Sequence, residues 1–497
     1  MPAKPNFVYI FCDDLGWGDV SCLNSESKIQ TPNIDRLATS GMSFTDAHTG
    51  SAVCTPSRYT LLTGRYCWRT ELKDGVGGGY SPPLITPDRL TVAEMLKQNG
   101  YRTACIGKWH VGFDWQLKDE FGDDAMPRHL CREETRFDDM VDFAKPILNG
   151  PTDVGFDYYF GISASLDMSP YVFIENDRAT DIPCEIVPRG TTPEARAREG
   201  IGAKGWRHED VLPALRDKSI RFIKQEAAAG NPFFLYLPVN GPHTPVVPNA
   251  EWIGKSGAGL YGDFVMEIDD VVGQIVATLE EAGVRDNTMV VFSSDNGPET
   301  LTARYRESYG HYSAWKFRGM KRDNWEGGHR VPFVVSWPAA VTAGSTCERF
   351  VELVDFMATV AEIVDADVPE TAAEDSRSIL PLLEGDFSSD CRPFAIHHSC
   401  NGQWAIRRGK YKLLLHSGSG GNRSECPENN DPVQLYDLEA DLFETTNIYA
   451  DHPDIVRELR ELCLSCIKDG RSTPGQPLDN DPNGEWRQLE ALLRLEV

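Results

Sequence analysis

The sequence has no run of the ~20 apolar residues needed to span a bilayer. Its most apolar stretches, such as Phe7 to Cys12 and Met289 to Phe292, are strand-sized, so no membrane span is expected. Positive charge is also scarce: 49 Lys+Arg stand against 75 Asp+Glu, a formal net charge of −26 over 497 residues. A surface of that sign repels polyanions, which argues against a nonspecific nucleic-acid or anionic-membrane binder. The N-terminus lacks a basic segment leading into an apolar signal core, because the first apolar run starts at Phe7 and ends in acidic residues. The chain is therefore read as cytoplasmic as written, or as periplasmic or secreted with its signal removed, and the compartment stays open. Regular cysteine spacing is missing as well. Thirteen cysteines are scattered, and an odd number leaves at least one unpaired in any scheme confined to this chain. The single CxxC, Cys463 and Cys466, has no second pair and falls in a helix-like stretch, so two buried thiols are expected there rather than half a metal site. No internal repeat is detectable.

What is present is the composition of a folded protein, 41% hydrophobic and 25% charged. Its length fits one large and one smaller domain. Short β-branched and aromatic runs alternate with segments of helical period, the pattern of an α/β sheet covered by helices. The clearest helix runs from about Asp263 to Ala282, with Val265, Ile268, Val272, Ile275 and Leu279 on one face; a second covers about Thr91 to Gln98. Between Ala366 and Asp390 the composition turns to Glu, Asp, Ser and Pro around one apolar patch, Ile379 to Leu383. That shift places a boundary near 385, giving domains 1–385 and 386–497. In the second, Phe394 to His397, Gln403 to Arg407 and Tyr411 to His416 read as strands, Ser417 to Pro432 as a loop and Pro453 to Lys468 as a helix, a small α+β unit.

The polar residues that follow the strands carry the chemistry. Phe7 to Cys12 leads into Asp13 and Asp14; Thr103 to Ile106 into Gly107, Lys108, Trp109 and His110; Phe233 to Val239 into Asn240, Gly241, Pro242 and His243; Thr288 to Ser293 into Asp295, Asn296 and Gly297. Open α/β sheets bind ligands at the carboxyl ends of their strands, so these four clusters are expected to converge. Any one of them alone is an ordinary turn. The strongest local signal is Cys54-Thr55-Pro56-Ser57-Arg58 with Thr63-Gly64-Arg65 four residues on. Thr55 reads as an N-cap and Pro56 as the first helical residue, which would set residue 54 at the positive end of a helix with Arg58 close by. Gly75-Val76-Gly77-Gly78-Gly79 lacks the strand-to-helix context of a phosphate loop and reads as a flexible loop.

Cys-x-Pro-Ser-Arg followed by four residues and Thr-Gly resembles the signature of the type I sulfatases of the alkaline phosphatase superfamily. Gly100-Tyr101-Arg102-Thr103 through Gly107-Lys108-Trp109-His110-Val111-Gly112 is similar to their second signature, and the likeness runs from Asp13-Asp14-Leu15-Gly16 to Leu435-Tyr436-Asp437-Leu438. The resemblance implies a large mixed, mostly parallel sheet flanked by helices, with a smaller C-terminal domain that carries a short antiparallel sheet and contributes to the pocket. It implies that a maturation enzyme oxidises Cys54 to formylglycine, whose hydrate attacks sulfur. Arg58 and Lys108 would orient that residue and the sulfate, and His243 would protonate the leaving alcohol. His110 would then take a proton as the aldehyde reforms and sulfate departs. Lys321, in Arg318-Gly319-Met320-Lys321 ahead of Trp325-Glu326-Gly327-Gly328, would contact sulfate too; Met320 stands where the family pattern has Gly, and Lys316 is a nearby competitor.

Asp13, Asp14, Asp295 and Asn296 offer only oxygen donors, which argues for a hard ion over zinc. The resemblance favours Ca²⁺, with Mg²⁺ as the alternative, and adds residue 54 to the ligands. Trp68, Trp109 and Trp115 lie near the signatures, where aromatic faces would stack on sugar. Segments 68–75, 161–178 and 470–475 resemble N-acetylgalactosamine-6-sulfatases and arylsulfatase A relatives, and Asp167 in the second joins Lys108, His243, Lys321 and Trp115 as an expected substrate contact. The substrate implied is a sulfated saccharide, a galactose or N-acetylhexosamine sulfate attacked from the chain end. Two other readings stay open: a phosphomonoester or phosphonate hydrolase of the same superfamily, and a noncatalytic glycan-binding protein with Cys54 unconverted. The oligomeric state is not fixed by the sequence.

Overall fold

The computed structural model describes residues 4–122, 137–421, 431–481 and 486–495. Part of the Ser417–Pro432 loop expectation, residues 422–430, lies outside these. Five parallel strands, Thr288–Ser294, Asn6–Asp13, Phe233–Pro242, Arg102–Lys108 and Tyr158–Ile162, form the centre of a ten-stranded mixed sheet in that spatial order. Phe333–Ser336 pairs antiparallel on the Thr288–Ser294 side, and Ile174–Glu175 on the Tyr158–Ile162 side.

Side-chain alternation along the first strand divides the core. Phe7, Tyr9 and Phe11 enter one apolar layer with residues of the helices Cys54–Thr63, Val92–Gln98 and Phe356–Val364. Val8, Ile10 and Cys12 enter the opposite layer, beneath Val211–Ala229 and Gly259–Glu281. A central strand buried on both faces reads as an unbroken apolar run, as Phe7 to Cys12 does. The long helix begins at Gly259, one turn before the expected Asp263, while Thr91 caps Val92–Gln98 by accepting from the Glu94 amide. Among the described residues no helix is long and apolar enough to cross a membrane.

The helix Leu380–Leu383 packs into the large-sheet core, and a four-stranded antiparallel sheet starts at Phe394: Phe394–His398, Trp404–Arg408, Tyr411–Leu414 and Gln434–Asp437. Its last strand, four residues after an irregular loop, is too short to show a sequence period. Pro453–Lys468 is a helix, and its Cys463 and Cys466 are buried free thiols.

Two buried histidines, His398 on the first strand of this sheet and His416 just past the third, predict acid sensitivity. Burial, with Lys73 nearby, pushes His398 down to about 3, and burial, with Lys412 nearby, pushes His416 down to about 4. Below an ordinary histidine pKa of ~6.5 the unfolded chain binds protons that the native rings refuse, so stability falls with pH. At pH 5 each ring costs about 2 kcal/mol relative to neutral pH. Thermal unfolding at pH 7 and pH 5 should therefore show a smaller acid-induced loss in a His398→Gln, His416→Gln double variant than in the parent; equal losses would refute this.

Candidate active site

The parallel register carries the four polar clusters to one edge of the sheet. Asp13 closes the first strand, Lys108 closes Arg102–Lys108, His243 follows Phe233–Pro242, and Asp295 and Asn296 follow Thr288–Ser294. The Asp14 amide donates to Asp295 Oδ1 at 3.2 Å and the Leu15 amide to Ser294 Oγ at 2.9 Å, which pins adjacent turns together. Asp14 and His110 both sit at positive φ, 66° and 58°. Non-glycine residues are rarely held there, and such backbone strain concentrates at functional sites.

Cys54 opens the helix Cys54–Thr63, with Val53 in the capping position and Gly64 closing it in the left-handed region. Thr55 is therefore not the N-cap. Its hydroxyl instead accepts the Gly77 amide at 3.0 Å, tying the glycine loop to the helix start. Arg58, one turn along, is fully buried and donates to Asp295 Oδ2 from Nε at 3.0 Å and Nη2 at 2.7 Å, and from Nη1 to the Lys108 carbonyl at 3.2 Å. Donor atoms of Asp13, Cys54 and Asp295 lie within 4.8 Å of one another. Burial pushes the Cys54 thiol up to about 11, against the pull of Lys108 and Lys321. At neutral pH it is a neutral thiol, a poor nucleophile.

Each carboxylate faces a cation. Lys108 Nζ is 2.7 Å from Asp13, Lys321 Nζ is 2.8 Å from Asp14, and Arg58 holds Asp295. Burial raises Asp13, but Lys108, His243, Arg58 and Lys321 together hold it well below the usual carboxylate range. Burial and repulsion from Asp13 and Asp14 push Asp295 up to about 6 despite Arg58. His243 Nδ1 lies 2.6 Å from its acceptor, the Thr244 carbonyl, which directs Nε2 toward Asp14 Oδ2 at 3.7 Å. Asn296 Nδ2 donates to Asp14 Oδ1 at 2.7 Å, leaving Asn296 Oδ1 and Asp13 Oδ1 as buried oxygens without a hydrogen-bond partner. Buried oxygens are seldom left unpaired, so an all-oxygen set with two orphans fits a hard cation such as Ca²⁺ or Mg²⁺.

His110 donates from Nε2 to the Gly77 carbonyl at 2.8 Å, which leaves Nδ1 unpaired and able to accept a proton; burial, then Lys108 and Arg58, hold the ring neutral. Lys321 rather than Lys316 enters the group, since Lys316 is exposed beside Glu26. Trp115, expected as a stacking face, is largely covered but lines a cavity with Tyr80, Phe113 and Asp114. It is 5% exposed, packed on Tyr80, Phe113 and Phe143, and donates its indole N–H to the Gly79 carbonyl at 2.9 Å. Trp68 and Trp109 are core residues too. Asp167 lies in the segment after Tyr158–Ile162, with Arg198 at 3.8 Å and its carbonyl accepting from Tyr171. Glu299 escaped the sequence reading. It pairs with Arg322 at 2.6 Å and lies 3.8 Å from Lys321; its place three residues after Asn296 was the available signal.

The Sulfatase family model matches residues 5–366, and that of the N-sulphoglucosamine sulphohydrolase C-terminal region matches residues 317–468. N-acetylgalactosamine-6-O-sulfatase of Bacteroides thetaiotaomicron is 35% identical over 504 residues, 93% of this chain and 93% of that one. Arylsulfatase A of Bos taurus is 31% identical, over 94% of this chain and 87% of the relative. A solved structure from work on the metabolism of multiple glycosaminoglycans by B. thetaiotaomicron has a TM-score of 0.81 at 34% identity, covering 93% of this chain and 99% of that chain. Ps i-CgsB in complex with k-i-k-neocarrahexaose has a TM-score of 0.70 at 25% identity, over 96% and 95%. With the family model spanning most of the chain and a relative 35% identical over 93% of it, the protein belongs to the sulfatase family and is a sulfuric ester hydrolase.

Proposed function

We propose that the chain removes sulfate from a saccharide, a galactose or N-acetylgalactosamine 6-sulfate presented at a chain end, with residue 54 in its formylglycine form. The observation that carries the reading is the placing of Cys54: at a helix start, beside Asp13 and Asp295, as a thiol too poorly ionised to attack. Formylglycine supplies a hydrate hydroxyl as nucleophile; Asp13, Asp14, Asp295, Asn296 and residue 54 would hold a divalent cation, which would supply charge stabilisation for the ionised hydroxyl. Calcium is the ion the resemblance favours. Lys108 and Lys321 hold sulfate oxygens, Arg58 fixes Asp295 and the helix start, and His110 Nδ1 receives a proton. His243 Nε2 carries the proton for the leaving alcohol.

Trp115 acts by holding the Gly77–Gly79 loop, and Asp167 is retained as a contact to the sugar. The division at residue 385 and a contribution of residues 386–497 to the pocket belong to the same proposal, as does a maturation enzyme that converts Cys54. The name of the B. thetaiotaomicron relative supports the sugar assignment.

Mass spectrometry of the Cys54 peptide from a host with a maturation enzyme tests the modification; only unmodified cysteine in active protein would reject it. Desulfation of defined galactose, galactosamine and glucosamine sulfates tests the substrate, with the galacto 6-sulfates expected to be fastest. Efficient sulfate release from the interior of long polymers would overturn chain-end action. His243→Ala is expected to slow sugar sulfates by about 10²–10⁴-fold, and aryl sulfates, whose leaving groups need little protonation, far less. Equal losses on both would remove His243 from the acid role.

A further inference from the structure

Lys321 is not carried by the catalytic strands. It sits in the stretch from Arg318 to His329, whose middle is tied beside the catalytic cluster, the Lys321 amide donating to the Pro298 carbonyl at 3.0 Å and the Arg322 amide to the Ala52 carbonyl at 2.8 Å, while both ends are also held from the second sheet and the loop after it. At its start, Arg318 Nη1 donates to the Tyr436 hydroxyl at 3.2 Å and the Glu444 carbonyl at 2.7 Å, and its guanidinium lies 3.7 Å from the Trp325 ring centroid. Trp325 packs against Ala405, Leu414 and Tyr436 of that sheet. At its end, the Glu326 amide donates to Glu444 Oε2 at 2.7 Å. Lys412, wholly buried on Tyr411–Leu414, places Nζ 3.0 Å from Glu326, 2.9 Å from Glu444 and 3.0 Å from His329 Nε2.

The neighbouring histidines pack into the same buried group. His48 Nε2 lies 2.8 Å from Asp46, His48 Nδ1 lies 2.9 Å from His329 Nδ1, and His329 Nε2 lies 3.0 Å from Lys412 Nζ and 3.1 Å from the Asn324 carbonyl. Although nitrogens of His48, His329 and His397 lie within 4.8 Å of one another, the His329 and His397 rings stack at 3.9 Å and 12°. Their in-plane lone pairs run in parallel planes and cannot converge on one metal ion.

We propose that Arg318 and Lys412 are positioning residues for Lys321: they clamp both ends of its segment to the second sheet and so set the ammonium that reaches Asp14. This rests on the reading of Lys321 as a sulfate contact. Lys412 lies between two buried carboxylates, and removing it leaves them uncompensated and frees the segment end. A displacement of about 1 Å at a positioned catalytic group costs on the order of 10²-fold in rate, so partial release should be readily measurable.

The test is a double-mutant cycle on the matured enzyme with an aryl sulfate. Lys412→Met and Arg318→Met are each expected to lower kcat/KM by about tenfold in the parent, but by less than about twofold in a Lys321→Met background. Their effects on Tm should be the same in both backgrounds. Equal fold-losses in both backgrounds, or no loss in the parent, would overturn the positioning role. Arg318 is only half-buried, so its variant carries the cycle if Lys412→Met does not fold. Full activity in Lys321→Met alone would sink both readings. An impaired Lys321→Met with an additive cycle would sink the positioning role and leave Lys321 as a sulfate contact.

Discussion

Cys54→Ala is expected to lower kcat by at least about 10⁴-fold while leaving the fold intact, because removal of a covalent nucleophile costs on that order in other hydrolases. Cys54 is 2% exposed, so its loss removes one buried sulfur, a cost of about 1 kcal/mol at most. Arg58 keeps Asp295, Lys108 keeps Asp13 and the helix keeps its left-handed Gly64 terminus, so the variant should still bind a sulfate ester. Thermal unfolding and substrate-analogue binding measured alongside kcat separate chemistry from folding. Cys54→Ser sharpens the argument. It returns a hydroxyl to the helix start, yet it should be as inactive as alanine unless the host converts serine, because the proposed chemistry needs a carbonyl hydrate and not merely an oxygen. Turnover by the alanine variant within tenfold of the parent would end the assignment of residue 54.

What the sequence made legible follows from where information is local. Phe7 to Cys12, Phe233 to Val239 and Thr288 to Ser293 are buried on both faces, so composition alone marks them, and the polar residues after them had to lie at one sheet edge once the strands were parallel. A single aromatic such as Trp115 gives no sign in sequence of which neighbours will pack on it; Tyr80 and Phe143 do so from separate segments, beside the local Phe113. Thr55 lies two residues inside the cap at Val53, and its hydroxyl accepts from the Gly77 amide, 22 residues away, rather than from its own helix. The Lys412–Glu326–Glu444 group left no local signal, since Lys412 and Glu444 lie 86 and 118 residues from Glu326 in the chain.

Metal removal should separate activity from stability even more sharply than most substitutions. Prolonged chelation, checked by metal analysis, is expected to lower kcat/KM by about 10³-fold, as loss of a charge-stabilising cation does. The same treatment should lower Tm by only a few degrees, since a ligand held at a hundred times its Kd adds about 2.7 kcal/mol. Stability is cushioned because Asp13, Asp14 and Asp295 already face Lys108, Lys321 and Arg58, so the three carboxylates do not depend on a metal for their only counter-charge. Activity has no such cushion. On the proposed mechanism Lys108 and Lys321 hold the incoming sulfate, and a divalent ion on the orphan Asp13 Oδ1 and Asn296 Oδ1 would release them from charge balance for that task. Ca²⁺ should restore turnover better than Mg²⁺, whose near-octahedral shell keeps its waters, and Zn²⁺ should fail on an all-oxygen donor set. Asp14→Asn should mimic chelation in kcat/KM, because Asp14 meets both Lys321 and Asn296. Undiminished activity in metal-free protein would mean that the oxygen cluster serves the lysines alone and holds no ion.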